Sequence, residues 1–231
     1  MMLFRKILLT VGVLLTAWQS SGQEKTIIDK VDVDLVLTVL PRFEYRGGET
    51  KFSTKSTAEN HWLMVKVEYS VDRDVSTPVV RGSGGRKKVL PAGIADGIIM
   101  ETRVLLDTKL RVDKEAVYCM FTGRTEFFPI RRDGNKHLAL MFVPAKTIDC
   151  FSRSMSGSQV RRAALKDFKA EVVFSSAGAV IARGYCNVSG RREFEEICRG
   201  VPDELQIVGG VLPRSRTPWV VIEPDVFDPE K

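Results

Sequence analysis

An all-β sandwich is what this 231-residue sequence predicts, and three observations predict it. Apolar residues recur with period two, as in strands with one face in a core and one in water. Roughly eleven such runs follow one another, each short and bounded by turn residues, where alternating βαβ units would place long helical patterns between strands. Helical spacing occurs only twice, and briefly.

Val31 to Val39 is apolar at every odd position, so Asp32 and Asp34 mark the wet face of a first strand. Leu63, Val65, Val67, Tyr69 and Val71 repeat the pattern against Met64, Lys66, Glu68 and Ser70. Ile98 to Leu106 follows, with Glu101 and Arg103 turned to water. Val117–Phe121 and Glu126–Ile130 read as two short strands around a turn at Thr122-Gly123. Lys136–Val143, Thr147–Phe151, Phe168–Phe174, Val180–Asn187, Leu205–Val208 and Trp219–Ile222 complete the series. Ser158–Asp167 and Arg191–Arg199 each carry apolar residues at helical spacing and predict one or two short helices that cover or connect. Asp72–Gly97 contains Gly82-Ser83-Gly84-Gly85-Arg86-Lys87-Lys88 and reads as a mobile loop over about 72–97. The ends, 23–28 and an acidic C-terminal tail at 224–231, read as frayed.

The start of the chain has a different character. Arg5 and Lys6 precede an apolar run from Ile7 to Trp18, and the small residues Ser20, Ser21 and Gly22 follow. That is the layout of a secretory signal peptide over residues 1–22, cut after Gly22. The run is shorter than the roughly 20 residues a transmembrane helix needs. With no second long apolar run, no integral membrane segment is expected in residues 23–231, which read as one domain. The expected destination is the periplasm, the cell surface or the medium.

Composition then limits function. The formal charge of +6 is modest, and pairs such as Arg131-Arg132, Arg161-Arg162 and Arg191-Arg192 are scattered, so nucleic acid is not an expected partner. With only His61 and His137 present, neither in a metal-binding spacing, a histidine-rich metal site is hard to build. Both read as strand-edge residues rather than general bases. Ser83 lies in Gly-Ser-Gly-Gly, which is not a nucleophile elbow. The basic loop also lacks the spacing of a phosphate cradle. No catalytic residue, metal ligand or cofactor site is expected, and the chain reads as no enzyme.

Four cysteines in an exported chain suggest disulfides. Cys186–Cys198 would close a short local loop, which leaves Cys119–Cys150; buried free thiols are the alternative. Asn187-Val188-Ser189 matches a glycosylation acceptor. Trp62 and Trp219 are the tryptophans left after export. They are candidates for partner contact or for stacking on a glycan, and Arg86, Lys87 and Lys88 are candidates for contact from the basic loop.

Three segments carry a resemblance. They are His61-Trp62-Leu63-Met64-Val65-Lys66-Val67-Glu68-Tyr69; Lys136 to Pro144 continuing to Thr147-Ile148 and Phe151; and Ser215-Arg216-Thr217-Pro218-Trp219 followed by Asp225-Val226-Phe227. In this order behind a signal peptide, they resemble exported proteins of verrucomicrobial (Akkermansia-type) bacteria linked to type IV pilus loci. The resemblance spans about residues 30–228. It implies an immunoglobulin-like β-sandwich, a pilus-associated or cell-envelope role with a protein partner or self-assembly, and no enzymatic activity. The four cysteines and the basic insertion depart from that pattern. An edge strand at Trp219–Ile222, flanked by Pro218 and Pro224, would be a place for strand addition. A secreted carbohydrate-binding module is the alternative reading.

Overall fold

The computed structural model describes residues 27–39, 42–46, 49–53, 61–72, 79–81, 87–89, 93–152, 164–221 and 230. In chain order its strands are β1 (Ile28–Val39), β2 (Arg42–Arg46), β3 (Glu49–Ser53), β4 (His61–Val71), β5 (Val79–Arg81), β6 (Lys87–Val89), β7 (Ile94–Ala95), β8 (Ile98–Val112), β9 (Glu115–Glu126), β10 (Ile130–Arg131) and β11 (Lys136–Val143). Helix α1 (Ala145–Ser152) precedes β12 (Phe168–Ser176) and β13 (Ala179–Cys186); helix α2 (Arg191–Arg199) precedes β14 (Gln206–Val208) and β15 (Leu212–Pro213).

Two sheets make the sandwich, ordered β1-β4-β11-β15 and β13-β12-β8-β9-β14. The principal strands therefore occupy the places A-B-E in one sheet and G-F-C-C′ in the other, an immunoglobulin-like arrangement. Alternation explains the core directly. Val65, Val67 and Tyr69 on β4, Met141 and Val143 on β11, Val104 and Leu106 on β8, and Phe168, Val172 and Phe174 on β12 point inward and are buried. No cysteine bridges the B and F positions; Val65, Val67, Ala170 and Val172 fill that region.

The two seams between the sheets are tight. On one side Gly184 of β13 faces β1, where an added Cβ would stand 2.6 Å from Val31 Cγ1 and from Val33 Cγ2. On the other, Gly123 of β9 faces Val211, where it would stand 2.1 Å from the carbonyl oxygen. Val211 N–H donates to the Thr122 carbonyl beside it (3.1 Å). Only a residue without a side chain permits either approach.

Several sequence expectations change here. Thr122-Gly123 is no turn, because β9 runs straight through it to make that seam. The reversal occurs at Asp113-Lys114, both with positive φ (50° and 72°), as a two-residue hairpin loop requires. Thr147–Phe151 is not a strand but most of α1. Ile148 and Phe151 lie three apart on one helix face, and Ile148 N–H closes the first turn onto Pro144 O (3.0 Å). The expected loop at 72–97 contains a short antiparallel hairpin, β5 with β6, and then β7, which pairs with β10. Pro218–Val221 is a 3-10 turn, so no edge strand exists there. The proposed Ser158–Asp167 helix is described only from Ala164, where Leu165–Asp167 is a single 3-10 turn. At the ends, Ile28 is already paired with Val71, and Glu230 bridges Phe127. The expected leader at 1–22 and the rest of the expected tail lie outside the described residues.

Candidate functional site

The outer face of the β1-β4-β11 sheet holds both tryptophan candidates. Register sets Val36 opposite Met64 and Met64 opposite Phe142, with Trp62 opposite Thr38 one row on. The 3-10 turn at Pro218–Val221 folds over this surface and presses Trp219 flat against Phe142, ring centroids 4.3 Å apart and planes at 13°. Trp62 meets Trp219 edge-on at 5.1 Å. Phe142 and Leu140 are thereby buried, and Trp219 is only 9% exposed. The tryptophans thus do not form an open sugar platform. Trp219 is a lid, while Trp62 and Met64 stay half-buried and Val36 and Val220 remain exposed beside it. The uncovered strip is apolar at the Trp62 end and charged at the other.

At that charged end lies an open cleft of about 240 Å³ lined by Asp29, Lys30, Asp32, Glu68, Ser70 and Lys136. Its shape comes from a bulge in β1 between Asp29 and Val31, where Lys30 adopts a φ of 46°. Lys66 binds Glu68 at 2.5 Å and Lys136 approaches it at 3.7 Å.

The opposite outer face is closed by α2. Phe194 inserts over Leu105 and Tyr185, with Met120, Ile197 and Cys198 around it. Beneath the helix Glu171 is completely buried. Arg103 Nε donates to Glu171 Oε2 at 2.7 Å and Arg103 NH2 contacts the same oxygen; Arg183 NH1 (2.7 Å) and the Tyr185 hydroxyl (3.0 Å) donate to Oε1. Arg103 reaches on to Glu195 of α2 at 2.9 Å and lies over the Phe194 ring. Two carboxylates against two guanidiniums leave no net charge, so the network pins the helix to the sheet. At the helix start Glu193 accepts bonds from Ser189 N–H and Oγ–H, both 2.8 Å. Those bonds and Lys169 hold its carboxyl down at about 2.

The disulfide expectation is corrected: all four cysteines are free thiols. Cys198 turns its sulfur toward Met120 on β9 (3.8 Å) rather than toward Cys186, because α2 docks by Phe194. Cys119 donates its thiol to Leu205 O at 3.2 Å, whereas Cys150 lies exposed on α1. Burial pushes the Cys119 thiol up to about 12 and that of Cys198 to about 11. The glycosylation match is also occupied. Asn187, at a φ of 58°, donates its amide to Leu165 O (3.1 Å) and Phe168 O (2.8 Å).

His137 stacks on Tyr69 at 5.5 Å and faces Asp133 Oδ1 at 3.6 Å. His61 simply opens β4, paired with Val39. Lys87 and Lys88 belong to β6, and Arg86 lies outside the described residues. Sequence reasoning missed Glu171, the α2 clamp and the Val36–Met64–Phe142 row. The available signal was that Leu138–Val143 is apolar at both parities, the mark of a strand covered on both faces.

Comparison with known proteins adds little. No known family description matches this chain, and neither does any curated protein. Among solved structures, a crystal structure from Akkermansia muciniphila aligns with a TM-score of 0.49 and 13% sequence identity, covering 88% of this chain and 94% of that one. At that level of likeness no property is carried across. Among the described residues no helix is long and apolar enough to cross a membrane.

Proposed function

We propose that this chain is an exported interaction protein of the cell envelope, pilus-associated like the proteins its ordered segments resemble, and that it works by binding protein rather than by catalysis. One observation supports this above others: the half-open apolar strip Val36–Met64–Trp62 on the outer sheet face, with Trp219 beside it. Contiguous surface of this kind, with an aromatic centre and a charged rim, is how protein contacts are built. Binding proceeds through that face rather than by strand addition, since β1 is packed against β13 at Gly184 and Pro218–Val221 is a 3-10 turn.

The test uses the full chain expressed with residues 1–22 in a bacterial host that carries its native envelope. The expected product is outside the cytoplasm and begins at Gln23, and a photo-cross-linker at position 36 yields a discrete protein adduct that Trp62→Asp abolishes. Retention in the cytoplasm with an intact leader would overturn the reading, as would a hydrolytic activity that disappears in His137→Ala.

A further inference from the structure

The two outer faces of the sandwich carry exposed charges that have no ion-pair partner among the described residues. On the β1 side Asp32 and Asp34 are exposed and make no salt bridge within 4 Å among the described residues, although Asp34 stands opposite Lys66 in the register, and the Asp29 carboxylate accepts only the neighbouring Lys30 N–H. With the equally exposed Lys30, the β1 strip itself carries a net −2, which Glu68 with Lys66 and Lys136 on the same face reduces to −1. Asp32 also stands directly opposite Glu68 in the register, a like-charge pair that costs stability, although Lys66 and Lys136 relieve it. On α2, Glu193 and Glu195 are committed to Lys169 and Arg103. Arg191, Arg192 and Arg199 are left exposed without salt bridges, together with Glu196. That ridge carries a net +2.

We propose that these faces are the two halves of one contact between copies of this chain, α2 of one molecule lying along β1 of the next. The occupant is a second copy because both halves are on every molecule, on opposite outer faces, and their charges are opposite in sign. A basic partner of another kind would satisfy β1 alone. The guanidiniums reach the cleft at Asp29 and Asp32 and the row at Asp34, while the arginine stems cover the exposed Val36, as long basic side chains do over apolar surface. Since the contact joins two different surfaces on opposite faces, a pair leaves one half free at each end, and copies add head to tail. This inference gives the partner class of the function proposed above and rests on that reading.

The experiment uses two charge-reversed variants, Arg191→Glu with Arg192→Glu, and Asp32→Lys with Asp34→Lys, in sedimentation and light scattering. Glutamates in the first turn of α2 suit a helix N-terminus, and in the β1 variant the gain of Asp32→Lys opposite Glu68 offsets the like-charge pair that Asp34→Lys makes with Lys66, so both variants should keep the native circular dichroism. The wild-type chain should grow in mass with concentration at low salt and dissociate in high salt. Each variant should associate at least about 100-fold more weakly, since reversal turns attraction into repulsion worth several kcal/mol. An equimolar mixture should assemble again into alternating chains, because native α2 meets native β1 in one contact and reversed α2 meets reversed β1 in the next. A wild-type chain that stays monomeric at low salt, variants that still assemble, or a mixture that does not pair would each overturn the proposal. A monomeric purified chain that still cross-links through position 36 in the envelope would defeat this contact and leave the proposed function standing.

Discussion

Gly184 lies so near Val31 that a side chain at the glycine would overlap the valine methyl at 2.6 Å. The contact closes one seam of the sandwich, as Gly123 against Val211 closes the other. Gly184→Ala is expected to cost about 1–3 kcal/mol, the usual range for overpacking, because valine side chains can yield. Gly123→Ala should cost more, since its obstacle is a backbone carbonyl. Thermal unfolding of both variants checks the order, at about 2–4 °C per kcal/mol for a chain of this size. Equal, negligible shifts would show that the seams are loose.

Glu171 should behave as one member of a unit. Glu171→Ala leaves Arg103 and Arg183 facing each other under α2, and breaking a buried pair in this way costs about 3–5 kcal/mol. Adding Arg103→Ala to it should cost much less than the sum of the two single changes. Urea titration of the four proteins in this cycle measures the coupling, and simple additivity would refute the network.

Acid should loosen the start of α2 first. Glu193 titrates near 2 in the folded chain against an ordinary 4.5, and the Arg103 bond also holds Glu195 below its usual range. A depressed carboxylate stabilises the fold fully above its ordinary value and loses that contribution as pH falls through its folded value. The effect therefore belongs to the window from about pH 4.5 down to about pH 2. Tyr185 and Phe194 side-chain NMR signals should shift in that window, and Glu193→Gln should remove most of the pH dependence there. A helix insensitive to pH across it would contradict the capping role.

Thiol chemistry separates the cysteines by burial. Cys150 should react first with an aromatic disulfide reagent in the native protein, and Cys119 and Cys198 should resist, their thiols being pushed up to about 12 and about 11. All four should titrate after unfolding without reductant, and reductant should not change the melting temperature. Fewer than four would reveal a disulfide.

Asn187 provides a backbone test. Its left-handed φ of 58° and two carbonyl bonds predict that Asn187→Ala loses about 1–3 kcal/mol, with Asn187→Gly recovering only the conformational part. The same bonds keep the amide from accepting a glycan once the domain has folded. Modification of the folded protein at this residue would contradict that.

The sequence alone determined the strands and which way their residues face. Whether Leu63 or Met64 enters the core is written in a period of two that no distant residue needs to supply, and β4, β11 and β13 lie within a residue or so of where that period puts them. Tertiary structure decided what local pattern cannot carry. A glycine that reads as a turn at 123 is a seam because Val211, far along the chain, arrives there. A run that alternates at 147–151 is helical because two of its apolar residues meet the same core. The cysteines stay apart, and Trp219 becomes a lid, because α2 and the C-terminal turn dock on sheet faces whose positions arise only when both sheets have closed.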